Sequence, residues 1–241
     1  MNLYDVESDF YDLFYFDFQD DIEVYRRHSC GRVLEFMTGT GRILYYLNPP
    51  YGVGVDINDN MLEGAKKNLR GRNVRLVKGD VRDVALGEKF CLIIIGYNSI
   101  LMFPREDRIK ILKNAARHLS EDGKIMIDIV NPYMMVEGIV HHGATVEKDG
   151  VYYSRFFVPR WMGDRWEILY FYDIVERENV RRRYASLNLY PLYSYEVEEE
   201  ARAAGLIVKE IYGDYDFSEF EENSERIIAV LVRDNGGNKE I

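Results

Sequence analysis

The chain has 241 residues, 47% of them hydrophobic and 30% charged, with a formal net charge of −10. Such a balance excludes a disordered chain and gives length enough for one large core, or a core with a sizeable insertion. The charge repels phosphate backbones and so disfavours nucleic acid as a partner. The one basic run, Arg181-Arg182-Arg183, would split between two faces if it formed a strand, which is a poor groove for RNA. Met1 to Asp12 is acidic and lacks the basic-then-apolar order of a secretory signal. The longest apolar run, Phe90 to Ile95, is too short to cross a membrane. Cys30 and Cys91 alone make no disulfide framework, which points to a reducing cytoplasm. Gln19 is the single glutamine amid many Glu, Lys and Arg, a bias toward a thermophilic source.

In chain order, Arg32 to Phe36 reads as a strand that ends in a glycine-containing turn, and Tyr51 to Asp56 as a second strand entered through Pro49-Pro50. Asn58 is placed to cap a helix whose Met61, Leu62, Ala65 and Leu69 share one face. Val74 to Val77 and Phe90 to Ile95 follow as buried strands. Pro104 opens a helix with Ile109, Leu112, Ala116 and Leu119 inward and Gly123 beyond its end, and Lys124 to Val130 is a fifth strand. This alternation predicts an α/β, Rossmann-like, seven-stranded and mostly parallel sheet with helices on both faces.

From Tyr133 to Leu192 the period changes to two. Trp166, Ile168, Tyr170, Tyr172 and Ile174 alternate, as do Ala185, Leu187 and Leu189, with Arg182, Tyr184, Ser186, Asn188 and Tyr190 on the opposite face. Residues 133–192 are therefore expected as an antiparallel β insertion that acts as a substrate lid. A helix from Ser194 to Ala204, stopped by Gly205, returns the chain to the core. Leu206 to Tyr212 and Arg226 to Val232 then complete the sheet as an antiparallel pair. The expected domains are a core of 1–132 and 193–233, the insertion, and a flexible tail of 234–241.

Ligands of such sheets sit at the carboxyl ends of the strands. After the first strand come Glu35, Met37, Thr38, Gly39, Gly41 and Arg42; the glycines permit a tight turn and close backbone approach at a helix start. Leu44 stands where a dinucleotide fingerprint needs its third glycine. Asp56, at the end of the second strand, can accept from both hydroxyls of a ribose. Asp80, after the third strand, is placed to accept from an exocyclic amine.

In order and spacing, Glu35-x-x-x-Gly39-x-Gly41, Gly54-Val55-Asp56-Ile57 with Met61, and Gly79-Asp80-Val81 resemble the three binding motifs of class I S-adenosylmethionine (SAM)-dependent methyltransferases, over residues 31 to 130. The resemblance implies SAM as cosubstrate, its methionine end over Thr38, Gly39 and Gly41, its ribose on Asp56 and its adenine among Ile57, Asp80 and Val81. The family usually has Gly where this chain has Met37. A narrower resemblance, carried by Tyr11 to Tyr15, Leu86 to Phe90 and the β insertion, is to the small-molecule N-methyltransferases related to glycine N-methyltransferase and to amino-sugar N,N-dimethyltransferases. It implies that the amino-terminal segment covers the cosubstrate, with Tyr15 near the sulfonium; packing of a helix by Tyr11, Phe14 and Tyr15 is the plain alternative.

Asn48-Pro49-Pro50-Tyr51 spells a tetrapeptide of amino-group methyltransferases but precedes the second strand, where a proline turn explains it. Gly96-Tyr97-Asn98 follows the fourth strand; Gly96 would admit the cosubstrate, Tyr97 line the site and Asn98 orient an amine. Tyr15, Tyr97 and the histidines His141 and His142 are the candidates for a base. No metal set is visible, and Cys91 reads as core. The expected reaction is methyl transfer from SAM to a small-molecule acceptor, at an amine nitrogen, with Tyr184, Asn188 and Tyr190 as acceptor contacts, by a cytoplasmic monomer or homodimer that does not associate with a membrane. Methylation of RNA or protein, and SAM binding without turnover, are the other readings.

Overall fold

The computed structural model describes residues 10–234; the extreme amino-terminal residues and nearly all of the expected tail lie outside them. The elements in chain order are α1 (Tyr11–Tyr15), α2 (Ile22–His28), β1 (Arg32–Phe36), α3 (Arg42–Leu47), β2 (Tyr51–Asp56), α4 (Asp59–Asn68), β3 (Val74–Lys78) and β4 (Phe90–Ile95). Then follow α5 (Arg105–His118), β5 (Leu119–Val130), β6 (His141–Lys148), β7 (Val151–Trp161), β8 (Trp166–Glu176), β9 (Asn179–Leu189), α6 (Ser194–Ala203), β10 (Leu206–Tyr212) and β11 (Arg226–Arg233). Internal contacts divide these into two compact units, residues 19–134 with 192–234 and residues 10–18 with 135–191. The segment 10–18 thus clusters with the insertion strands, where the sequence reading places it in the core.

The larger unit holds a seven-stranded sheet in the order β10-β11-β5-β4-β1-β2-β3. Strands β1 to β5 pair in parallel, and β11 runs antiparallel to both β5 and β10. The order reverses between β1 and β4, which opens a crevice at their carboxyl ends. The Val33, Leu34, Leu92, Ile93, Ile94, Met126 and Ile127 side chains are almost wholly buried, as expected of strands covered on both faces. Asn58 caps α4 by accepting from the amides of Asn60 and Met61 at 2.9 and 3.1 Å, and Met61, Leu62, Ala65 and Leu69 are buried. Leu119 opens β5 instead of closing α5: the helix stops at His118 and the chain turns directly into the strand.

The smaller unit is the antiparallel sheet β6-β7-β8-β9. Its apolar side, with Tyr172, Ile174 and Ala185 buried, packs against Phe10, Leu13 and Phe14 from α1 and its approach. Pairings such as Ile168↔Leu187 and Tyr170↔Ala185 place the two predicted alternating sets on this one face. Tyr184, paired with Phe171, points to the other face and is exposed. His141 and His142 belong to β6; His141 stacks on Phe157 and His142 meets the Thr145 hydroxyl at 2.9 Å.

The cysteines depart from the sequence reading. Cys30, in the link from α2 to β1, forms a disulfide with Cys91 of β4, with Cα atoms 6.1 Å apart. Cys91 is therefore not an ordinary core residue: its neighbours Phe90 and Leu92 are buried, while it is half-buried beside the backbone of Arg32. Two cysteines far apart in sequence carry no signal of pairing; the adjacency of β1 and β4 creates it. No described helix is long and apolar enough to cross a membrane.

Candidate functional site

The turn after β1 is built around an inward-facing acid. Glu35 is buried and accepts a hydrogen bond from the Thr38 hydroxyl at 2.7 Å. Burial pushes its carboxyl up to about 8, against the opposing pull of that hydroxyl and of the Arg42 charge. Met37 takes φ +57° and is half-buried. A left-handed residue here explains why glycine suits the position. Gly39 has φ +54° with open space where a Cβ would stand, whereas a Cβ on Gly41 would lie 2.6 Å from Leu69. One glycine thus keeps a surface clear and the other permits packing. Arg42, at the start of α3, is buried and gripped by Asp21 at 2.7 and 2.5 Å.

At the end of β2, Asp56 accepts from the Gly39 amide at 2.8 Å and from the Asn58 amide at 2.9 Å. The carboxylate ties the glycine turn to the second strand and keeps lone pairs for further donors. Its carboxyl lies above the ordinary range because burial outweighs these amide bonds. Beside it Ile57 is 64% exposed, an apolar side chain held out of the core. Met61 and Val81, by contrast, are buried packing residues, and the Val81 carbonyl accepts from Asn114. Asp80 is held by its neighbour Arg82, whose Nη2 lies 2.6 Å away and whose Nη1 reaches Asp107 at 2.7 Å. The hydrogen bonds from Arg82 keep the Asp80 carboxyl below its usual range. Any adenine amine would share that carboxylate with Arg82.

The ends of β4 and β5 converge on Asp128, which is fully buried. It accepts from Arg226 Nε at 2.6 Å, Tyr25 Oη at 3.0 Å and Tyr215 Oη at 3.1 Å. Tyr97 and Asn98 both adopt positive φ, +48° and +66°. The Asn98 side-chain oxygen accepts from the Val130 amide at 2.6 Å and from Arg226 at 3.4 Å. It clamps β4 to β5, a structural task that the amine-orienting expectation did not include. The Tyr97 ring lies near the guanidinium carbons of Arg42 and Arg226, at 5.4 and 5.8 Å, and burial raises its phenol above the usual value. That shift disfavours Tyr97 as a phenolate base at neutral pH. At Gly96 a Cβ would meet Ile43 at 2.7 Å and the Tyr25 hydroxyl at 2.8 Å, so packing already requires glycine there.

In the smaller unit, the Tyr15 ring faces the Arg155 guanidinium at 4.3 Å and lies tilted beside the Tyr11 ring at 4.7 Å. Tyr184 and Asn188 lie on the opposite face of that sheet, so Tyr15 and these two do not share a surface. Among the described residues, no group of three His, Cys, Asp or Glu is placed to hold a metal.

Asp21, Tyr25, Asp128 and Arg226, and the pairing of Arg42 with Asp21, were missed by sequence reasoning. Only Asp128 left a signal, a lone carboxylate inside the apolar strand Ile125–Val130; the others are brought together by strands and helices distant in sequence.

Residues 33–123 match the family model described as a methyltransferase domain. Along most of its length the chain is similar to dTDP-3-amino-3,4,6-trideoxy-alpha-D-glucopyranose N,N-dimethyltransferase of Streptomyces venezuelae, at 25% identity over 88% of this chain and 94% of the relative. It is also similar to the dTDP-3-amino-3,6-dideoxy-alpha-D-glucopyranose N,N-dimethyltransferase of Streptomyces fradiae, at 28% identity over 76% and 74%. Among solved structures, Streptomyces venezuelae DesVI shares the fold with a TM-score of 0.81 at 22% identity, over 94% of this chain and 98% of that one. Residues 33–123 form a methyltransferase domain, within a chain that is similar along most of its length to N,N-dimethyltransferases.

Proposed function

We propose that the chain methylates an amine nitrogen of a small-molecule acceptor, with an amino sugar as the first candidate. The observation that supports this most is the extent of the similarity. The domain model stops at residue 123, whereas the match to the amino-sugar N,N-dimethyltransferase of Streptomyces venezuelae takes in 88% of the chain. An acceptor-reading insertion of different origin would break such a match.

The residues fit SAM. In this reading Asp56, whose two oxygens already anchor Gly39 and Asn58, takes the ribose hydroxyls. Ile57 offers an exposed apolar surface to the adenine. Asp80 reaches its amine in competition with Arg82, and the open side of Gly39 admits the methionine end. Glu35 and Thr38 shape the turn from within, as Gly41, Met61, Val81 and Gly96 do through packing. SAM, when bound, supplies a methyl group already activated on a sulfonium, so the protein's own task is to hold the nucleophile in line and exclude water. Tyr97 lines the site, and Asn98 fixes the Tyr97 turn. Tyr15 and the insertion serve the acceptor. The net charge disfavours RNA as that acceptor, and a cytoplasmic setting, where SAM is made, suits the reading.

The test is turnover of SAM by the purified protein against amino sugars, simple amines, tRNA and peptides, read by mass gain of the acceptor. Methylated amino sugar is the expected product. Product from tRNA or peptide alone, or from nothing in the panel, would overturn the proposal. Calorimetry should show Asp56→Ala weakening SAM binding by about 1.5–3 kcal/mol, the scale of a lost charge-assisted hydrogen bond.

A further inference from the structure

Arg226 opens β11 and stands in register with Val130, at the end of β5. Its Nε donates to Asp128 at 2.6 Å, and its Nη2 reaches the Asn98 side-chain oxygen at 3.4 Å. Its guanidinium carbon lies over the Tyr97 ring, 5.8 Å from the centre, and over the Tyr215 ring at 4.9 Å. One side chain therefore meets the carboxylate of β5, both residues of the turn after β4, and the link between β10 and β11.

That turn needs holding. Tyr97 and Asn98 stand in succession at positive φ, +48° and +66°. Left-handed backbone is costly for a bulky residue such as Tyr97, and it persists only where the surroundings over-determine it. Asp128 supplies the anchor: its carboxylate accepts from the Tyr97 amide at 3.3 Å and its carbonyl from the Asn98 amide at 2.9 Å. Arg226 in turn fixes that carboxylate. The Tyr97 ring also lies 5.4 Å from the guanidinium carbon of Arg42, which Asp21 holds. Two cations thus attend one ring, each tied to a fully buried carboxylate. Such buried pairs add little stability over apolar residues of similar volume, because desolvation offsets their attraction. What they supply is geometry, since a planar fork with fixed donor directions defines one arrangement of its partners. The turn they define stands at the carboxyl end of β4, beside the crevice where the strand order reverses.

We infer that Arg226 is a positioning residue for methyl transfer: it holds Tyr97 at the edge of the crevice and so sets the in-line geometry, without contributing to the affinity for SAM. The geometric role rests on the methyltransferase reading; the hold of Arg226 on Tyr97 does not. A misplaced positioning group is felt in the transition state, so its loss lowers kcat and leaves cosubstrate binding intact.

The test compares the full wild-type chain with Arg226→Lys, which keeps the charge and loses the fork, and with Asp128→Asn, which keeps the shape and loses the anion. Calorimetry with S-adenosylhomocysteine should give affinities within about threefold of wild type. With whichever acceptor of the panel wild type methylates, kcat should fall by roughly tenfold or more while KM for SAM stays within about threefold. NMR of ring-labelled tyrosine, with Tyr97 assigned through Tyr97→Phe, should show the Tyr97 signals displaced in both variants. The signals of Tyr51, at the opposite end of the parallel strands, should stay in place. If Arg226→Lys folds poorly, Asp128→Asn carries the same comparison. Wild-type kcat in the variants, undisplaced Tyr97 signals, or S-adenosylhomocysteine affinity falling in step with kcat would each overturn the inference. Wild type that binds S-adenosylhomocysteine yet methylates nothing in the panel would sink the amine-methylation reading. The Tyr97 signals then decide alone: displaced, they uphold the hold of Arg226 on the turn; undisplaced, they overturn it.

Discussion

Arg42, next to the second glycine of the turn after β1, is held at both guanidinium ends by Asp21, at 2.7 and 2.5 Å, with both side chains buried. Twenty-one positions separate them, so the pair locks α2 to the start of α3 and thereby fixes the turn that precedes it. Burial raises the Asp21 carboxyl and Arg42 opposes the rise, which is the balance of a charge pair withdrawn from water.

Breaking this pair from one side should therefore be severe. Asp21→Ala removes both carboxylate contacts from a buried guanidinium and should cost about 3–5 kcal/mol in urea unfolding. Replacing both, as Asp21→Leu with Arg42→Met, should recover most of that loss, because two buried charges are then removed together. A single variant as stable as wild type would show that the pair contributes nothing to holding the turn.

Glu35 gives a pH signature. Its carboxyl rises from an ordinary 4.5 to about 8 in the fold, so the folded state binds its proton more tightly than the unfolded chain does. The resulting stabilisation is full below about 4.5 and is lost as pH rises through about 8. Glu35→Gln imitates the neutral acid and can still accept from Thr38. The variant should match wild type near pH 5 and become the more stable of the two by pH 9. Urea unfolding at the two pH values measures this, and a gap that does not widen would refute it.

At Met37, φ +57° with a half-buried side chain reverses the effect expected of a core residue. Relief of left-handed strain, about 1–2 kcal/mol, exceeds the backbone entropy cost of glycine, about 0.5–1 kcal/mol. Met37→Gly should thus raise thermal stability slightly. A loss of more than about 1 kcal/mol on melting would mean that the side chain is packed after all.

The Cys30–Cys91 disulfide closes a loop of 61 residues, for which chain entropy gives about 4 kcal/mol of stabilisation. Reduction should lower the melting temperature of wild type, and Cys91→Ser should melt lower regardless of reductant. Two titratable thiols in protein purified without reductant would show that the bond is not formed.

The sequence by itself determined the local features. Alternation of periods gave the α/β core and the antiparallel insertion; Asn58 gave the cap of α4; the positions of Gly39, Asp56 and Asp80 at strand ends gave the candidate site loops. These are legible because each depends on residues within a few positions of one another, where propensity and periodicity act directly. Only the tertiary structure decided which neighbours those residues have. It engaged Asp80 with Arg82, which also reaches Asp107, set Asn98 to clamping β4 and β5, and buried Met61 and Val81 as packing. It also joined Cys30 to Cys91 across two strands and gathered Tyr25, Tyr215 and Arg226 on Asp128. Such contacts link residues from 25 to 103 positions apart, apart from the local Asp80–Arg82 bond, and depend on strand order and on what each side chain meets once water is excluded. No local pattern encodes that, because burial is a property of the assembled fold.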